Sequence, residues 1–229
     1  MKNKINIVKG LLASTLMLGV QFTGLRAFAF NDTNNHWANQ DIQNLSSENI
    51  INGYTDGSFR PENSITRGEF AVSLAKMLNL PVTLSSDAPI FKDVKTGKWA
   101  SASIRAVTEA QLMKGYPGDL FMPNRYITRS EVMSILSNSG HLAVPATVNS
   151  EEVLSTYSDS EKVPEWARKS VAKAVYTHIS ANSPSRENML EPNRKATRGE
   201  TSVMMVNLRK AVQVSVAKEN LVKAQEKQQ

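Results

Sequence analysis

Three arginines stand in one local context: Thr66-Arg67-Gly68-Glu69, Thr128-Arg129-Ser130-Glu131 and Thr197-Arg198-Gly199-Glu200. Thr followed three residues later by Glu, just ahead of an apolar-periodic run, is a capping box: the Thr hydroxyl accepts from one orphan amide while the Glu carboxylate reaches back to another. Each segment therefore predicts a helix start. Helix physics does not explain the arginine, because a cation beside the positive end of the macrodipole costs roughly a few tenths of a kcal/mol. Free amides plus a guanidinium at a helix start are what an anion needs. The alternative is that each Arg pairs with a neighbouring carboxylate and pins segments of the chain together.

The remaining side chains offer little other chemistry. The 229-residue chain has no Cys, so it is no disulfide scaffold and its stability must come from burial. Its three His (His36, His141, His178) are widely separated, which argues against a metal site. No nucleophile elbow, phosphate-cradling glycine loop or H-E-x-x-H occurs. Asp56 and Glu62 could be imagined as a glycosidase pair, but carboxylates are plentiful on any surface, and the expectation is a non-enzyme without cofactor. Residues 1–29 read as a secretory signal peptide: Lys2, Lys4 and Lys9, then apolar Leu11 to Val20, then Ala27-Phe28-Ala29. That apolar run is too short for a membrane span, and no later stretch approaches one. The leader holds four of the 27 basic residues (Lys2, Lys4, Lys9, Arg26) and none of the 21 acidic ones, leaving 23 against 21, a net charge of +2. With so little surplus there is no concentrated basic face for nucleic acid.

The elements that must position the arginines come in three repeats of about sixty to seventy residues. Trp37, Trp99 and Trp166 are each followed by Ala and then by apolar residues at offsets five, eight and thirteen: Ile42, Leu45 and Ile50; Ile104, Val107 and Leu112; Val171, Ala174 and Ile179. This spacing predicts an amphipathic helix opening each repeat. An aromatic-x-Asp precedes each one, at Phe30 to Asp32, Phe91 to Asp93 and Tyr157 to Asp159. Repeats one and two continue with Gly53-Tyr54 and Gly115-Tyr116 and turn-rich segments ending at Pro61 and Pro123. Gly53 and Gly115 are placed to end the first helix. Repeat three keeps Leu190-Glu191-Pro192 but has Ala181-Asn182-Ser183-Pro184 in place of the glycine-tyrosine turn, so its loop must be differently built. The second helices carry Phe70, Leu74 and Met77, then Val132 and Leu136, then Met204, Met205 and Leu208, with the Met residues read as core filler. Residues 79–90 and 138–156 read as exposed connections, and 213–229 as a helical or frayed tail.

Aromatic-x-Asp, Trp-Ala, an apolar helix, a G-Y-x-D-G-x-F-x-P turn and I-T-R-x-E opening a second helix resemble, in that order, the S-layer homology domain. Repeats fall at 30–80, 91–140 and 157–212. Repeat two has Gly118-Asp119 in inverted order, and repeat three lacks the turn. The resemblance implies an all-α fold of three helix-loop-helix units in a pseudo-threefold arrangement. First helices would form a central bundle, with grooves between three prongs. It also implies a secreted protein of the cell wall or S-layer that non-covalently binds an anionic secondary cell wall polymer, commonly one ending in a pyruvate-ketal amino sugar. Candidate glycan-binding residues are Arg67, Arg129 and Arg198 for the carboxylate, and Tyr54, Tyr116, Gly53, Gly115, Trp37, Trp99, Asp32 and Asp93 for the sugar. Each Trp reads alternatively as a core plug, and each Asp as a helix cap or an Arg partner. Arg198 is expected to matter least, because the third repeat lacks the Gly-Tyr turn. Other surface-layer subunits are a second class of partner, and an exported module binding an envelope protein is the alternative function. Thr66→Ala, which removes an N-cap acceptor worth about 0.5 to 2 kcal/mol, should lower the melting temperature while leaving affinity well below it unchanged.

Overall fold

All three Thr-x-x-Glu segments start a helix. A computed structural model of the chain describes residues 30–82, 89–140, 142–182 and 184–226, so the expected leader, His141 and the end of the tail lie outside the described residues. Its helices are α1 (Asn39–Ser47), α2 (Arg67–Met77), α3 (Ser101–Glu109), α4 (Arg129–Ser139), α5 (Ser150–Leu154), α6 (Arg168–Tyr176) and α7 (Arg198–Glu226), joined by turns and short 3₁₀ segments. Among the described residues there is no strand, only isolated bridges, and the protein is all-α. No described helix is long and apolar enough to cross a membrane.

The first helices α1, α3 and α6 begin two residues after each Trp, with Ala38, Ala100 and Ala167 at the N-cap and no side-chain cap. They bury Ile42 and Leu45, Ile104 and Val107, and Val171 and Ala174 on one face. The helices end earlier than the apolar offsets suggest. Asn49, Gln111 and His178, each with φ near +57°, turn the chain out of α1, α3 and α6, so Gly53 and Gly115 do not end these helices. Ile50 and Ile179 are nevertheless buried just past the helices, while Leu112 and Val175 pack half-buried against the same core.

Gly53 and Gly115 serve a different constraint. A Cβ on Gly53 would lie 2.2 Å from the Phe30 ring and one on Gly115 2.3 Å from Phe91, so glycine lets the aromatic of each aromatic-x-Asp slide beneath the loop. The segment read as an exposed connection, 138–156, contains α5. Asn149 caps it by accepting from the Glu151 amide at 2.9 Å, and Leu154 is buried against α6. A short helix with one buried leucine leaves too few periodic positions to be read from sequence.

Helix packing is cyclic. α2 packs on α3, α4 on α6, and α7 returns to pack on α1, so each second helix meets the first helix of the following repeat and the last closes on the first. These contacts, rather than contacts among the first helices alone, are the principal ones. The chain just before each second helix joins the cycle: Ile65 N–H donates to Ala196 O (3.0 Å), Ala196 N–H to Ile127 O (2.9 Å) and Ile127 N–H to Ile65 O (3.2 Å). All three side chains are fully buried. Met77, Met204 and Met205 lie in this core, as filler. Because every repeat depends on two neighbours, unfolding should be one transition, with helicity and fluorescence of Trp37, Trp99 and Trp166 superimposing. A fragment of residues 30–140, which deprives α1 of α7, should melt without a cooperative transition.

Candidate functional site

The amides at the starts of α2, α4 and α7 are not free. Arg67 N–H donates to Arg125 O (2.8 Å) and Gly68 N–H to Pro123 O (2.8 Å). Arg129 and Ser130 donate likewise to Arg194 O (2.9 Å) and Pro192 O (3.0 Å), and Arg198 and Gly199 to Asn63 O (2.9 Å) and Pro61 O (2.8 Å). The capping boxes take the next donors, with Glu69, Glu131 and Glu200 accepting from Thr66, Thr128 and Thr197 N–H at 2.8 to 2.9 Å. The expectation that free amides would help bind an anion fails, since the loop of the following repeat already satisfies them.

That loop also receives the guanidinium. Arg67 donates from Nε to Phe121 O (3.0 Å) and from Nη2 to Lys114 O (3.0 Å). Arg198 donates to Phe59 O (2.9 Å) and Asn52 O (2.7 Å), and Arg129 to Leu190 O (2.7 Å) and Ala181 O (2.8 Å). Every arginine therefore works with the next repeat's loop and not its own. Arg67 stands with Tyr116, Arg198 with Tyr54, and it is Arg129, not Arg198, that faces the loop lacking Gly-Tyr. Sequence order paired Arg198 with that loop because nothing local shows that the third repeat closes on the first.

Relative exposure is 4% for Arg67, 0% for Arg129 and 4% for Arg198. Burial lowers the pKa of each guanidinium from its ordinary value, with neighbouring acidic groups opposing it, but an arginine that starts so high stays charged. The Arg67 Cζ lies 4.7 Å from the ring centroids of both Tyr116 and Phe121, and Arg198 Cζ 5.1 Å from Tyr54 and 4.5 Å from Phe59. Nη1 of Arg67 and of Arg198 has no hydrogen-bond partner among the described residues. Neither is sealed, because the one buried side-chain N or O without a partner there is Arg209 Nε. Arg67 Nη1 thus stands unpaired at an aromatic loop, while Arg198 Nη1 has Glu69 Oε1 at 3.9 Å.

The other candidates divide. Asp32 accepts from Phe59 and Arg60 N–H at 2.8 and 2.7 Å, Asp93 from Phe121 and Met122, and Asp159 from Leu190 and Glu191. They neither cap the first helices nor pair with the arginines. Each carboxylate clamps two successive amides around a residue at positive φ (Arg60, Met122 or Glu191) that precedes a proline. Trp37 is half-buried against the core, whereas Trp99 and Trp166 are 65% and 64% exposed, so the core-plug reading fails for the latter two. The Trp99 ring lies over Gly68, 3.3 Å from where a Cβ would stand, beside Arg67. At Gly199 the covering ring is His36, whose Nε2 is 2.8 Å from Glu62 and whose Nδ1 accepts from Ala38 N–H.

Sequence reasoning missed the second cations. Arg60 Cζ lies 4.1 Å from the Tyr54 centroid and Arg125 Cζ 5.2 Å from that of Tyr116; Arg125 also pairs with Glu131 at 2.9 Å. It also missed Asn182 and Glu200, which both contact Arg129. Asn182 stands where repeats one and two have Gly53 and Gly115, which was the available signal. Burial would raise the Glu200 pKa, but Arg129 at 3.0 Å, the Arg194 hydrogen bond and the Thr197 amide outweigh it and hold the carboxyl below its usual range.

A family model described as the S-layer homology domain matches residues 29–71, 90–133 and 156–202. The chain is 33% identical over 181 residues to an amylopullulanase of Thermoanaerobacterium thermosulfurigenes, covering 78% of this chain and 9% of that protein. It is 30% identical over 196 residues to the S-layer protein EA1 of Bacillus anthracis, covering 86% and 21%. It is also 42% identical over 88 residues to a cellulosome-anchoring protein of Acetivibrio thermocellus, covering 38% and 20%. The match thus spans about a fifth or less of the length of these relatives.

A carboxyl whose folded pKa lies below its unfolded value contributes stability that is complete above the unfolded value and is lost as pH falls through the folded one. Stability should therefore decline as pH falls below about 4.3. Glu200→Gln should flatten that decline and, by leaving Arg129 buried without its counter-charge, cost about 3 to 5 kcal/mol at pH 7. Thermal melts of both proteins between neutral and acid pH measure both effects.

Proposed function

Because this chain belongs to the S-layer homology domain family, we propose that it is a non-catalytic cell-surface anchoring module that holds to an anionic secondary cell wall polymer non-covalently. The relatives that share this region carry unlike names, from amylopullulanase to S-layer protein to cellulosome-anchoring protein. A region shared by proteins so differently named is what a common attachment module, rather than a common reaction, would produce. The cyclic contacts are read as a pseudo-threefold arrangement with one groove wherever a second helix meets the next repeat's loop.

The observation that carries the ligand reading is the Arg67 guanidinium. Nε and Nη2 are fixed on carbonyls, the Tyr116 and Phe121 rings each lie 4.7 Å from the charge, Nη1 is left without a hydrogen-bond partner, and the exposed Trp99 ring lies over the adjoining Gly68. A pre-oriented guanidinium edge suits a carboxylate such as that of a pyruvate ketal, and adjoining indole and phenol faces suit a sugar ring. Arg198, with Tyr54 and His36, repeats the arrangement. Asp32 and Asp93 serve it indirectly by clamping the loops that carry Tyr54 and Tyr116, and Gly53 and Gly115 by seating those loops on Phe30 and Phe91.

A glycan anchor calls for arginine heads exposed at groove mouths, and a protein-binding or purely structural module for arginines buried in ion pairs. All three are largely buried. Arg129 pairs with Glu200 at 3.0 Å and Arg198 more loosely with Glu69 at 3.9 Å, while Arg67 has no ion pair among the described residues. Co-sedimentation with purified walls, before and after chemical removal of the polymer and after mild-acid removal of ketal pyruvate, separates the readings. Binding should vanish with the polymer and fall sharply with the pyruvate. Arg67→Ala should weaken it about ten- to a hundredfold, as expected for loss of a charge-assisted pair, and Lys at that position should restore only part because it lacks the planar fork. Undiminished binding to polymer-free walls would favour a protein partner.

A further inference from the structure

We infer that the Arg129 groove is closed by the chain's own side chains, so that the module presents two ligand sites rather than three. This rests on the glycan reading above. The three sites share a backbone frame: in each, the arginine Nε is bound to one loop carbonyl and a second guanidinium nitrogen to the carbonyl of Asn52, Lys114 or Ala181. They differ in what meets the rest of the guanidinium. At Arg67 Nη1 is open. At Arg198 the nearest carboxylate, Glu69, stands off at 3.9 Å. At Arg129 Nη2 donates to Asn182 Oδ1, and Nη1, besides its bond to Ala181 O, lies 3.0 Å from Glu200 Oε1.

Both blocking groups are held from behind. The Asn182 side-chain amide donates to Met189 O (2.8 Å) and Glu187 O (3.4 Å), so it cannot swing away without losing its own partners. Glu200 accepts from Arg194 and from Thr197 N–H. The equivalent Glu131, beside Arg67, is instead engaged by the Tyr116 hydroxyl at 2.9 Å and by Arg125, and makes no ion pair with Arg67. The glycine-to-asparagine difference at position 182 thus places a carboxamide oxygen on the arginine. The internal carboxylate takes the contact that a ligand carboxylate would make. An external carboxylate would have to part Glu200 from Arg129, leaving Glu200 with Arg194 as its remaining cation, and Arg129 presents no exposed surface from which to begin.

The test is calorimetric titration of the full chain with a synthetic methyl glycoside of a pyruvate-ketal amino sugar. Two equivalents are expected, with Arg67→Gln and Arg198→Gln each removing one and Arg129→Gln lowering the melting temperature without changing the count. Three equivalents, or loss of one with folded Arg129→Gln, would overturn the inference. Because Arg129→Gln can unfold the chain, guanidinium hydrogen exchange in the wild type, followed by nitrogen-15 NMR, gives an independent reading. The Arg129 Nη protons should exchange at least about tenfold more slowly than those of Arg67 and Arg198, and equal rates would overturn closure. No uptake of glycoside by the wild type overturns the glycan reading and the count of two with it, and slow Arg129 exchange then distinguishes that failure from an open Arg129.

Discussion

Everything in this fold depends on one repeated exchange: the loop of each repeat gives its carbonyls to the helix start and arginine of the repeat before it. Three consecutive amides and a guanidinium would be costly to bury unpaired, and the capping box alone satisfies only part of them. The Pro61, Pro123 and Pro192 carbonyls supply the missing acceptors, and aspartate clamps at Asp32, Asp93 and Asp159 hold the preceding residues in the positive-φ conformation that aims them. With the third loop serving the second repeat and the first loop serving the third, no repeat can complete its own second helix.

The same exchange accounts for an arginine at the unfavourable end of a helix dipole. The macrodipole cost is confined to the first turn and is modest, whereas two carbonyl dipoles aimed at the guanidinium and, for Arg67 and Arg198, two aromatic faces act at contact distance in a nearly water-free setting. The loop carbonyls thus neutralise a site that helix propensity alone would discourage. They also fix which guanidinium edge is left for anything else.

Local pattern carried the elements and missed the partnerships. The capping threonines, the Trp-Ala starts of α1, α3 and α6, and the apolar residues from Ile42 to Met205 were legible because helix periodicity and capping are short-range rules. Asp32, Asp93 and Asp159 were visible as a repeated residue, but their acceptor role spans 27 to 32 positions and depends on how the loop folds back. Gly53 and Gly115 were read as helix ends because glycine often ends helices, when the deciding contact was the aromatic ring that opens the same repeat. The pairing of Arg129 with Asn182 and Glu200 required knowing that repeats interlock in sequence order and then close.

Divergence of the third loop can therefore be understood as a change of role at a conserved geometry within one chain. With Gly-Tyr in the neighbouring loop, the arginine keeps an open edge and the capping glutamate is engaged elsewhere or stands off. With Asn182 in the neighbouring loop, amide oxygen and glutamate both turn onto the arginine, and the site becomes an internal ion pair with no exposed surface. A buried ion pair is a weak source of net stability because desolvation offsets most of its Coulomb energy, yet it strongly penalises any arrangement that separates the charges. At the joint between the second and third repeats such a pair penalises any shift that parts Arg129 from Glu200. At the two joints built from the loops of the first and second repeats, Arg198 and Arg67 are held instead by loop carbonyls and aromatic rings, and under the proposed reading it is their remaining guanidinium edges that a ligand would meet.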